Sequence, residues 1–323
     1  MDALDDLLHK RDVVILDGGL ATHLETLGAD ISHPLWSFKM LIEQPELVKQ
    51  AHLDYMLAGS DIVITSSYQA TLPVLAKHGF DRTQAIALLK KSVQVAIDAR
   101  EDFMQQQPTQ GRPLVAASVG PYGASTCDGA EYHGHYGLTC AELAEFHRDR
   151  MEVLVGCSPD ILAVETVPSF LEVQAITALL QEVAPGVPAW VAVSCRDGCT
   201  MNDGTPIQSF HSHMNGVQRQ ALTLPGINCT HPEFVTPLLS AMSAGRRAGG
   251  GACQPFVVYP NSGEGWDAVA KAWVPNELGL SSFEQTALQW RALGARVIGG
   301  CCRTGPTHIR LLRSQLMGPK LEE

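Results

Sequence analysis

Three cysteines follow stretches that read as buried strands. Cys301 and Cys302 come after the apolar run 295–298 and the glycines 299–300, and Cys229 ends a similar run far upstream. Neighbouring residues on a regular strand point to opposite faces, so two adjacent thiols can serve one site only where the backbone turns or bulges. The two glycines permit such a turn because they lack a side chain. We therefore expect one site at these strand ends.

This set of thiols indicates a metal site. Three thiolates suit zinc and leave one of its four positions open, whereas a structural zinc usually takes four protein ligands in closely spaced pairs. An open position implies chemistry at the metal. Buried free cysteines also occur simply as small hydrophobic residues, but the strand-end position of all three favours a zinc site.

The composition limits the partners and the location of the protein. Its 323 residues include 23 basic and 34 acidic ones, a net charge of −11, which argues against nucleic acid or an anionic membrane as partner. The N-terminus lacks the basic and apolar segments of a secretion signal, and no apolar run is long enough to span a bilayer. Nine cysteines, an odd number at irregular spacing, fit reduced thiols. We therefore expect a cytoplasmic protein.

Apolar strands and amphipathic helices alternate along the whole chain. We count eight strands, each followed by a helix, which is the pattern of parallel strand-helix-strand units that close into a (β/α)₈ TIM barrel. One domain, residues 1–323, accounts for all of them. The alternative is a doubly wound open sheet, but the first strand is not followed by the GxGxxG motif that is typical of that fold.

Three predicted helices differ in how clearly the sequence bounds them. The longest covers 81–107, and Asp81 is placed to cap its start. A helix over 207–220 is interrupted by a glycine. A third covers 232–244 and is followed by a glycine-rich stretch, 244–252, which we expect to be a flexible connection at the barrel face away from the chemistry.

Polar residues stand at the predicted carboxyl ends of the strands, where a TIM barrel places its active site. In chain order they are Asp17, Thr65, Ser118, Glu165, Ser194, Cys229, Asn261, Cys301 and Cys302. The two carboxylates could form the acid and base pair of a glycosidase, but that interpretation leaves the cysteines without a role. They could also be structural groups that cap the turns after their strands.

Two long loops follow strands at the same end of the predicted barrel. Loop 121–137 contains His133 and His135, whose spacing suits either metal ligands or a solvated loop. Loop 262–279 contains two tryptophans, which either line a substrate opening or cover the barrel. These are Trp266 and Trp273. Because active-site lids are drawn from such segments, we expect both loops to cover the site.

The residues singled out above occur in motifs that resemble the homocysteine S-methyltransferase family over nearly the whole chain. The motifs are 16–19 (LDGG), 59 with 65–68 (TSSY), 118–123 (SVGPYG), 165–166 (ET), 226–229 (GINC), 259–261 (YPN) and 299–302 (GGCC). Related zinc barrels occur in betaine-homocysteine methyltransferase and in cobalamin-dependent methionine synthase. The resemblance implies a TIM-barrel methyltransferase that forms methionine from homocysteine with Zn²⁺ as its cofactor.

The resemblance also implies roles for individual residues. Cys229, Cys301 and Cys302 would hold the zinc ion, and the sulfur of homocysteine would occupy its fourth position. Asp17 and Glu165 would bind the ammonium group of the amino acid.

Further residues are expected to contact the substrates. By resemblance, Thr65 corresponds to a hydroxyl near the substrate, and Trp36 to an aromatic position of the donor region. The strand-end residues Ser118, Ser194 and Asn261 are also predicted to bind substrate.

The methyl donor implied by the resemblance is a sulfonium compound. The compact branch of the family uses S-methylmethionine or S-adenosylmethionine, and this chain fits it because it ends soon after the last predicted helix and Gln69 replaces an aromatic residue of the betaine site. Zinc lowers the pKa of a thiol, and a sulfonium donor needs only orientation, without a general acid. The alternatives are selenocysteine as acceptor and a zinc-bearing barrel without catalytic activity.

Overall fold

The computed structural model describes residues 2–31, 36–126, 129–249, 254–267, 272–274 and 279–317. Its strands are Val14–Ile15 (β1), Ile62–Ile64 (β2), Leu114–Val119 (β3), Ile161–Val167 (β4), Ala189–Val193 (β5), Thr223–Asn228 (β6), Phe256–Tyr259 (β7), Gly265–Asp267 (β8), Ala272–Val274 (β9) and Ala295–Ile298 (β10).

The helices surround the strands. They are Ala3–Lys10 (α1), Leu20–Thr26 (α2), Trp36–Glu43 (α3), Pro45–Ala58 (α4), Leu72–Lys77 (α5), Arg82–Gln106 (α6), Cys140–Val155 (α7), Phe170–Val183 (α8), Ile207–Gly216 (α9), Pro232–Gly249 (α10), Gly279–Ala292 (α11) and Pro306–Met317 (α12). In the part of the chain that the structure describes, no helix combines the length and the apolar character needed to cross a membrane.

Eight of the strands form one parallel barrel. β1 pairs with β10, and the sheet then runs through β7, β6, β5, β4 and β3 to β2. A parallel bridge between Leu16 and Ile62 joins the two ends of this sheet. The predicted (β/α)₈ barrel is therefore confirmed, and the open-sheet alternative is wrong. The carboxyl ends of the eight strands meet at one face of the barrel.

Side-chain alternation along the strands divides the apolar residues into two layers. Around the first strand, Val14 and Leu16 belong to the core inside the barrel, which also contains Trp190 and Tyr259. Ile15 belongs instead to the larger core between the strands and the helices. Strands that are buried on both faces need apolar residues at every position, which explains the continuous apolar runs of the sequence.

Two helix boundaries follow from local residues. A capping box forms between Asp81 and Gln84, and α6 begins at Arg82 as predicted. α9 ends at Gly216 and not at residue 220, because the backbone is extended at Val217 (φ −71°, ψ 113°). Glycine in the last turn lowers helix propensity there.

α10 is longer than the predicted helix 232–244 and continues to Gly249. Alanine, methionine and arginine in its last turns are good helix formers, which outweighs the glycine that suggested a flexible connection. The prediction for 244–252 is therefore wrong as far as residue 249, and residues 250–253 lie outside the described part of the chain.

Several short elements at the carboxyl-end face are additional to the predicted strands and helices. α2 and α3 follow β1, α5 follows β2, and β8 and β9 form an antiparallel ribbon after β7. Each is too short to produce a clear periodic pattern in the sequence. They belong to the connections that follow the carboxyl ends of the strands. They therefore surround the barrel face where a TIM barrel has its active site.

Candidate metal centre and substrate cavity

The three cysteines at the ends of β6 and β10 converge. The Sγ atoms of Cys229 and Cys302 are 3.7 Å apart, and those of Cys229, Cys301 and Cys302 all lie within 4.8 Å of one another. In a tetrahedral zinc site with Zn–S bonds of about 2.3 Å, two ligand sulfurs stand about 3.8 Å apart. The spacing and the soft donor set thus fit a zinc ion. Among the described residues, the cluster is the one group of three ligating side chains within reach of a single ion.

Two glycines allow both adjacent thiols to face one point. The strand β10 ends at Ile298, and the N–H of Gly300 donates to the carbonyl oxygen of Asp17 at 3.0 Å. A Cβ on Gly300 would lie 2.2 Å from Thr304 Oγ1, and one on Gly299 would lie 2.6 Å from the carbonyl oxygen of Asp17. Only glycine fits at both positions, and the predicted turn is present.

Cys229 is held in a left-handed backbone conformation directly after β6. Its φ is 48°, which is uncommon for a residue with a side chain and is often found at functional sites. The preceding Asn228 is fully buried: its Oδ1 accepts from the N–H of Thr166 at 2.7 Å, and its Nδ2 donates to Thr166 Oγ1 at 2.8 Å. These two hydrogen bonds join β6 to β4, so they fix the position of Cys229 relative to Glu165.

A bulge in β4 brings consecutive residues to the same side. The pairing of β4 with β5 shifts register between Val164 and Val167, and Thr166 has φ 60°. As a result, both Glu165 and Thr166 line the cavity that contains the cysteine cluster.

The cavity has a volume of about 130 Å³ and opens beside the three thiols. Its lining residues are Asp17, Gly18, Gly19, Leu20, Ala21, Thr22, Ile64, Thr65, Ser66, Tyr68, Gln69, Glu131, Tyr132, Glu165, Thr166, Cys229, Tyr259, Gly300, Cys301 and Cys302. Three carboxylates line the cavity, and no lysine, arginine or histidine among the described residues does so. The lining therefore favours positively charged groups of a ligand.

Asp17 presents one unpaired carboxylate oxygen to this cavity. Its Oδ2 accepts from the N–H of Ile64 at 2.7 Å, whereas Oδ1 is buried and has no hydrogen-bond partner among the described residues. Burial raises the pKa of Asp17, and the nearby charge of Glu165 raises it further. A cationic ligand group would offset both effects.

Glu165 is held in place by neutral donors. It accepts hydrogen bonds from the hydroxyls of Ser118 and Tyr259, and the Tyr259 oxygen in turn accepts from Trp190 Nε1 at 2.9 Å. Burial raises the pKa of Glu165 to about 7, although the two hydroxyls oppose the shift. The carboxylate is thus oriented without being neutralised by a protein cation.

The thiols of the cluster stabilise negative charge on one sulfur. The pKa of Cys302 is lowered because the thiols of Cys229 and Cys301 donate hydrogen bonds to it. Thiolate is the form that binds a metal ion, so this arrangement prepares the site for a cation.

The remaining predicted site residues do not line the cavity. Ser118 is fully buried behind Glu165, Ser194 accepts from Asn202 Nδ2 at 2.9 Å, and Asn261 donates its N–H to the carbonyl oxygen of Thr230 at 3.1 Å.

The predicted loop and aromatic residues are placed only in part. Loop 121–137 contributes Glu131 and Tyr132 to the cavity. The exposed rings of its two histidines stack on each other at 6.0 Å and do not join the cysteine cluster. Trp36 opens α3, but its side chain lies outside the described part of the structure, as do those of Trp266 and Trp273.

The tertiary structure adds cavity residues that the sequence did not predict to bind substrate. Ser66, Tyr68 and Gln69 follow β2 and line the cavity beside Thr65. They lie within or next to the TSSY motif, so their position after a strand end was the signal that could have found them.

The fold and this site define a (β/α)₈-barrel enzyme with a three-cysteine centre at the carboxyl ends of its strands. The profile of the family described as homocysteine S-methyltransferase matches residues 14–316. The chain is 43% identical to homocysteine S-methyltransferase of Escherichia coli (strain K12) over 309 residues, which are 96% of this chain and 97% of that protein. It is 42% identical to homocysteine S-methyltransferase 1 of Arabidopsis thaliana over 322 residues, 97% of this chain and 96% of the relative.

Solved structures agree with this assignment. The crystal structure of the homocysteine methyltransferase MmuM from Escherichia coli in its metallated form has a TM-score of 0.84 and 40% identity, and the match covers 97% of this chain and 99% of that one. Its oxidised form has a TM-score of 0.86, also at 40% identity, over 98% of this chain and 100% of that one. The chain belongs to the homocysteine S-methyltransferase family and is a methyltransferase.

Proposed function

We propose that this protein is a zinc-dependent enzyme that transfers a methyl group from a sulfonium donor to L-homocysteine and forms methionine. The observation that carries the proposal is the convergence of three cysteine thiols, within 4.8 Å of one another, on a cavity lined by carboxylates. The proposal treats residues 1–323 as one homocysteine-binding barrel domain.

Zinc is the proposed metal because the donor set and its spacing suit it. Cys229, Cys301 and Cys302 would hold the ion and leave one position for a substrate sulfur. When bound, zinc would lower the pKa of the homocysteine thiol, so that the thiolate is present at neutral pH. The metallated form of the similar MmuM protein supports a metal-binding role for this site.

Asp17 and Glu165 are proposed to bind the ammonium group of homocysteine. Both carboxylates line the cavity, and Asp17 Oδ1 has no hydrogen-bond partner among the described residues. A buried carboxylate is costly without a cationic partner. An ammonium group that contacts one oxygen of each carboxylate would supply that partner. Thr65 and Tyr259 also line the cavity and are included in the proposed acceptor subsite.

The proposed reaction is a direct displacement at the methyl carbon. The homocysteine thiol releases its proton to solvent water, and its sulfur lone pair then forms a bond to the methyl carbon. The bond between that carbon and the sulfonium sulfur breaks, and its electron pair returns to the donor sulfur. The leaving group is a neutral thioether and needs no general acid. S-methylmethionine and S-adenosylmethionine are both proposed donors, since the carboxylate-lined cavity favours a cationic ligand.

The experiment measures methionine formed from homocysteine and either sulfonium donor by the zinc-loaded protein. We expect turnover that a chelator abolishes. The Cys301→Ser variant should bind zinc more weakly and lose more than about 100-fold in rate, because even the loss of outer-shell partners of a metal ligand can cost that much. Cys199→Ser is the matched control, since the exposed Cys199 thiol bonds Asp197 outside the cavity.

Two outcomes would contradict the proposal. Full metal content and full rate in Cys301→Ser would remove the thiol from the metal site. Absence of methionine with both donors in the zinc-loaded wild-type protein would favour the non-catalytic barrel.

A further inference from the structure

Arg303 directly follows the cysteine pair and has a left-handed backbone conformation. Its φ is 65°, a value that a side chain makes unfavourable. Of the four described non-glycine residues with positive φ, two others, Thr166 and Cys229, line the cavity. A strained conformation persists only where the surrounding contacts hold it, and glycine would adopt it without strain. The contacts of Arg303 should therefore explain why an arginine stands at this position.

These contacts connect the turn that contains the cysteines with two other elements around the cavity. The N–H of Arg303 donates to Thr22 Oγ1, on α2, at 3.0 Å. Its Nε donates to Glu264 Oε2 at 2.7 Å, and its Nη1 donates to Glu25 Oε2 at 3.3 Å. Glu25 also lies on α2, whereas Glu264 directly precedes β8. One arginine thus joins the cysteine turn to α2 and to the connection that follows β7.

The ion pair with Glu264 is the better shielded of the two. The side chains of Arg303 and Glu264 are 30% and 27% exposed, whereas that of Glu25 is 52% exposed. Water screens a half-buried pair less than an exposed one, and exposed ion pairs contribute little. Glu264 is also held locally, since its N–H donates to Ser262 Oγ at 3.3 Å. Glu264 is therefore the main partner of Arg303.

The connection after β7 lies between the two strands that carry the metal-binding cysteines. In the barrel, β7 pairs with β6 on one side and with β10 on the other. The N–H of Cys229 donates to the carbonyl oxygen at the end of β7, that of Tyr259, at 3.2 Å. The N–H of Cys301 donates to the carbonyl oxygen of Pro260 at 2.8 Å, and the carbonyl oxygen of Cys302 accepts from the next residues of this connection. All three cysteines are thus positioned against one segment of chain.

We propose that Arg303 is a positioning residue of the metal centre. Through Glu264 it holds the turn of Cys301 and Cys302 against the connection after β7, and so keeps their thiols at zinc-binding distance from Cys229. Because the thiols are placed before the ion arrives, less conformational entropy is lost when zinc binds. Arg303 itself does not line the cavity. This inference rests on the proposed function and adds to it a residue that contacts neither zinc nor substrate.

The test measures the zinc dissociation constant of the full chain by competition with a chromophoric chelator. Arg303→Met removes the guanidinium and keeps the aliphatic length, so we expect the constant to rise about tenfold or more, as for the loss of other outer-shell partners. Glu264→Gln should raise it about fivefold, and Glu25→Gln less than about twofold because that pair is exposed. Arg310→Met on the exposed face of α12 is the matched control and should bind zinc as the wild type does.

Two further readouts separate a positioning role from general destabilisation. The double variant Arg303→Met with Glu264→Gln should bind zinc about as weakly as Arg303→Met alone, because both changes remove the same contact. The melting temperature of the metal-free protein should stay within about 3 °C of the wild type in each variant, since a partly exposed ion pair contributes little to stability.

Three outcomes would overturn the role of Arg303. They are a zinc dissociation constant within twofold of the wild type in both Arg303→Met and Glu264→Gln, additive effects in the double variant, and zinc affinity that falls only in parallel with the metal-free melting temperature. If Arg303→Met does not fold, Glu264→Gln decides the matter alone, since it retains the arginine. If the wild-type protein binds no zinc, the proposed function itself fails, which is seen before any variant is compared.

Discussion

Asp17 follows β1, Glu165 lies on β4, and both carboxylates line the same cavity. They are close enough for the charge of one to affect the pKa of the other. Each is buried, and the charge of Glu165 contributes to the raised pKa of Asp17. Protein donors orient both carboxylates through Ile64, Ser118 and Tyr259, and no protein cation among the described lining residues neutralises them. The pair is therefore arranged for a cationic ligand group and not for an internal salt bridge.

The Glu165→Gln variant tests this arrangement. The change removes the charge and keeps the shape, so homocysteine binding should weaken by roughly 2 to 3 kcal/mol, the size of a charge-assisted hydrogen bond. Zinc content should be unchanged because Glu165 is not assigned as a ligand. Calorimetric titration with homocysteine and metal analysis provide the two readouts.

Glu182→Gln on the exposed surface of α8 is the control and should bind homocysteine as the wild type does. Unchanged affinity in Glu165→Gln would remove its role in ammonium binding. Loss of zinc would instead place the carboxylate in the metal's ligand shell.

At the scale of elements, a buried network of charged and polar side chains connects α7 and α8 with the chain that follows β3. Arg150 Nη2 donates to the carbonyl oxygen of Gly120 and to His147 Nδ1, both at 2.6 Å, and His147 Nε2 donates to Glu172 at 2.8 Å. Glu172 also accepts from the N–H of Tyr122 at 2.5 Å. Burial lowers the pKa of His147, the hydrogen bond to Glu172 opposes this shift, and the charge of Arg150 lowers the pKa further, so a neutral imidazole connects the two charges.

We expect the Arg150→Met variant to be strongly destabilised. Removing one partner of a buried charged network leaves Glu172 without its compensating charge, which costs about 3 to 5 kcal/mol in unfolding free energy. Urea unfolding followed by circular dichroism measures the change. Arg148→Met on the same helix, whose side chain pairs with Glu182 at the surface, should change stability little. Equal effects in the two variants would show that the network contributes no more than a surface pair.

At the scale of the whole molecule, the core contains a histidine without any polar contact among the described residues. His52 lies on α4, is fully buried, and neither ring nitrogen has a hydrogen-bond partner in that part of the chain. Burial lowers its pKa to about 4. In the unfolded chain a histidine has a pKa of about 6.5, so acid protonates the unfolded state first.

This histidine predicts an acid-sensitive contribution to folding. The native state keeps His52 neutral. The stability that depends on this neutral form is therefore fully present above about pH 6.5, and it is lost as the pH falls toward about 4. The full shift corresponds to about 3 kcal/mol. In His52→Leu, the loss of unfolding free energy between pH 7 and pH 4 should shrink by about that amount.

The comparison uses denaturant unfolding at a series of pH values. His9→Gln in the exposed part of α1 should retain the pH dependence of the wild type. A pH dependence in His52→Leu that matches the wild type would mean that His52 binds its proton as readily in the native state as in the unfolded chain.

The sequence by itself determined the barrel and indicated the three cysteines that converge at the carboxyl ends of its strands. Continuous apolar strands alternating with amphipathic helices have few ways to bury both strand faces, and eight such units close on themselves. The cysteines were predictable for a local reason, since each follows a strand whose carboxyl end lies at the active-site face. The glycines before Cys301 and Cys302 made the required turn visible in the sequence.

Only the tertiary structure decided which polar strand-end residues face the cavity and which hold one another in place. Ser118 and Glu165 are 47 positions apart in the chain, and Thr166 and Asn228 are 62 apart, so their pairing depends on packing that no local pattern encodes. Ser118 proved to orient a carboxylate behind the wall, whereas Gln69 came to face the cavity with an unpaired oxygen. A buried polar side chain hydrogen-bonds to whichever partner lies within about 3 Å of it in the folded barrel. Which partners lie that close is determined only when all eight strands have closed.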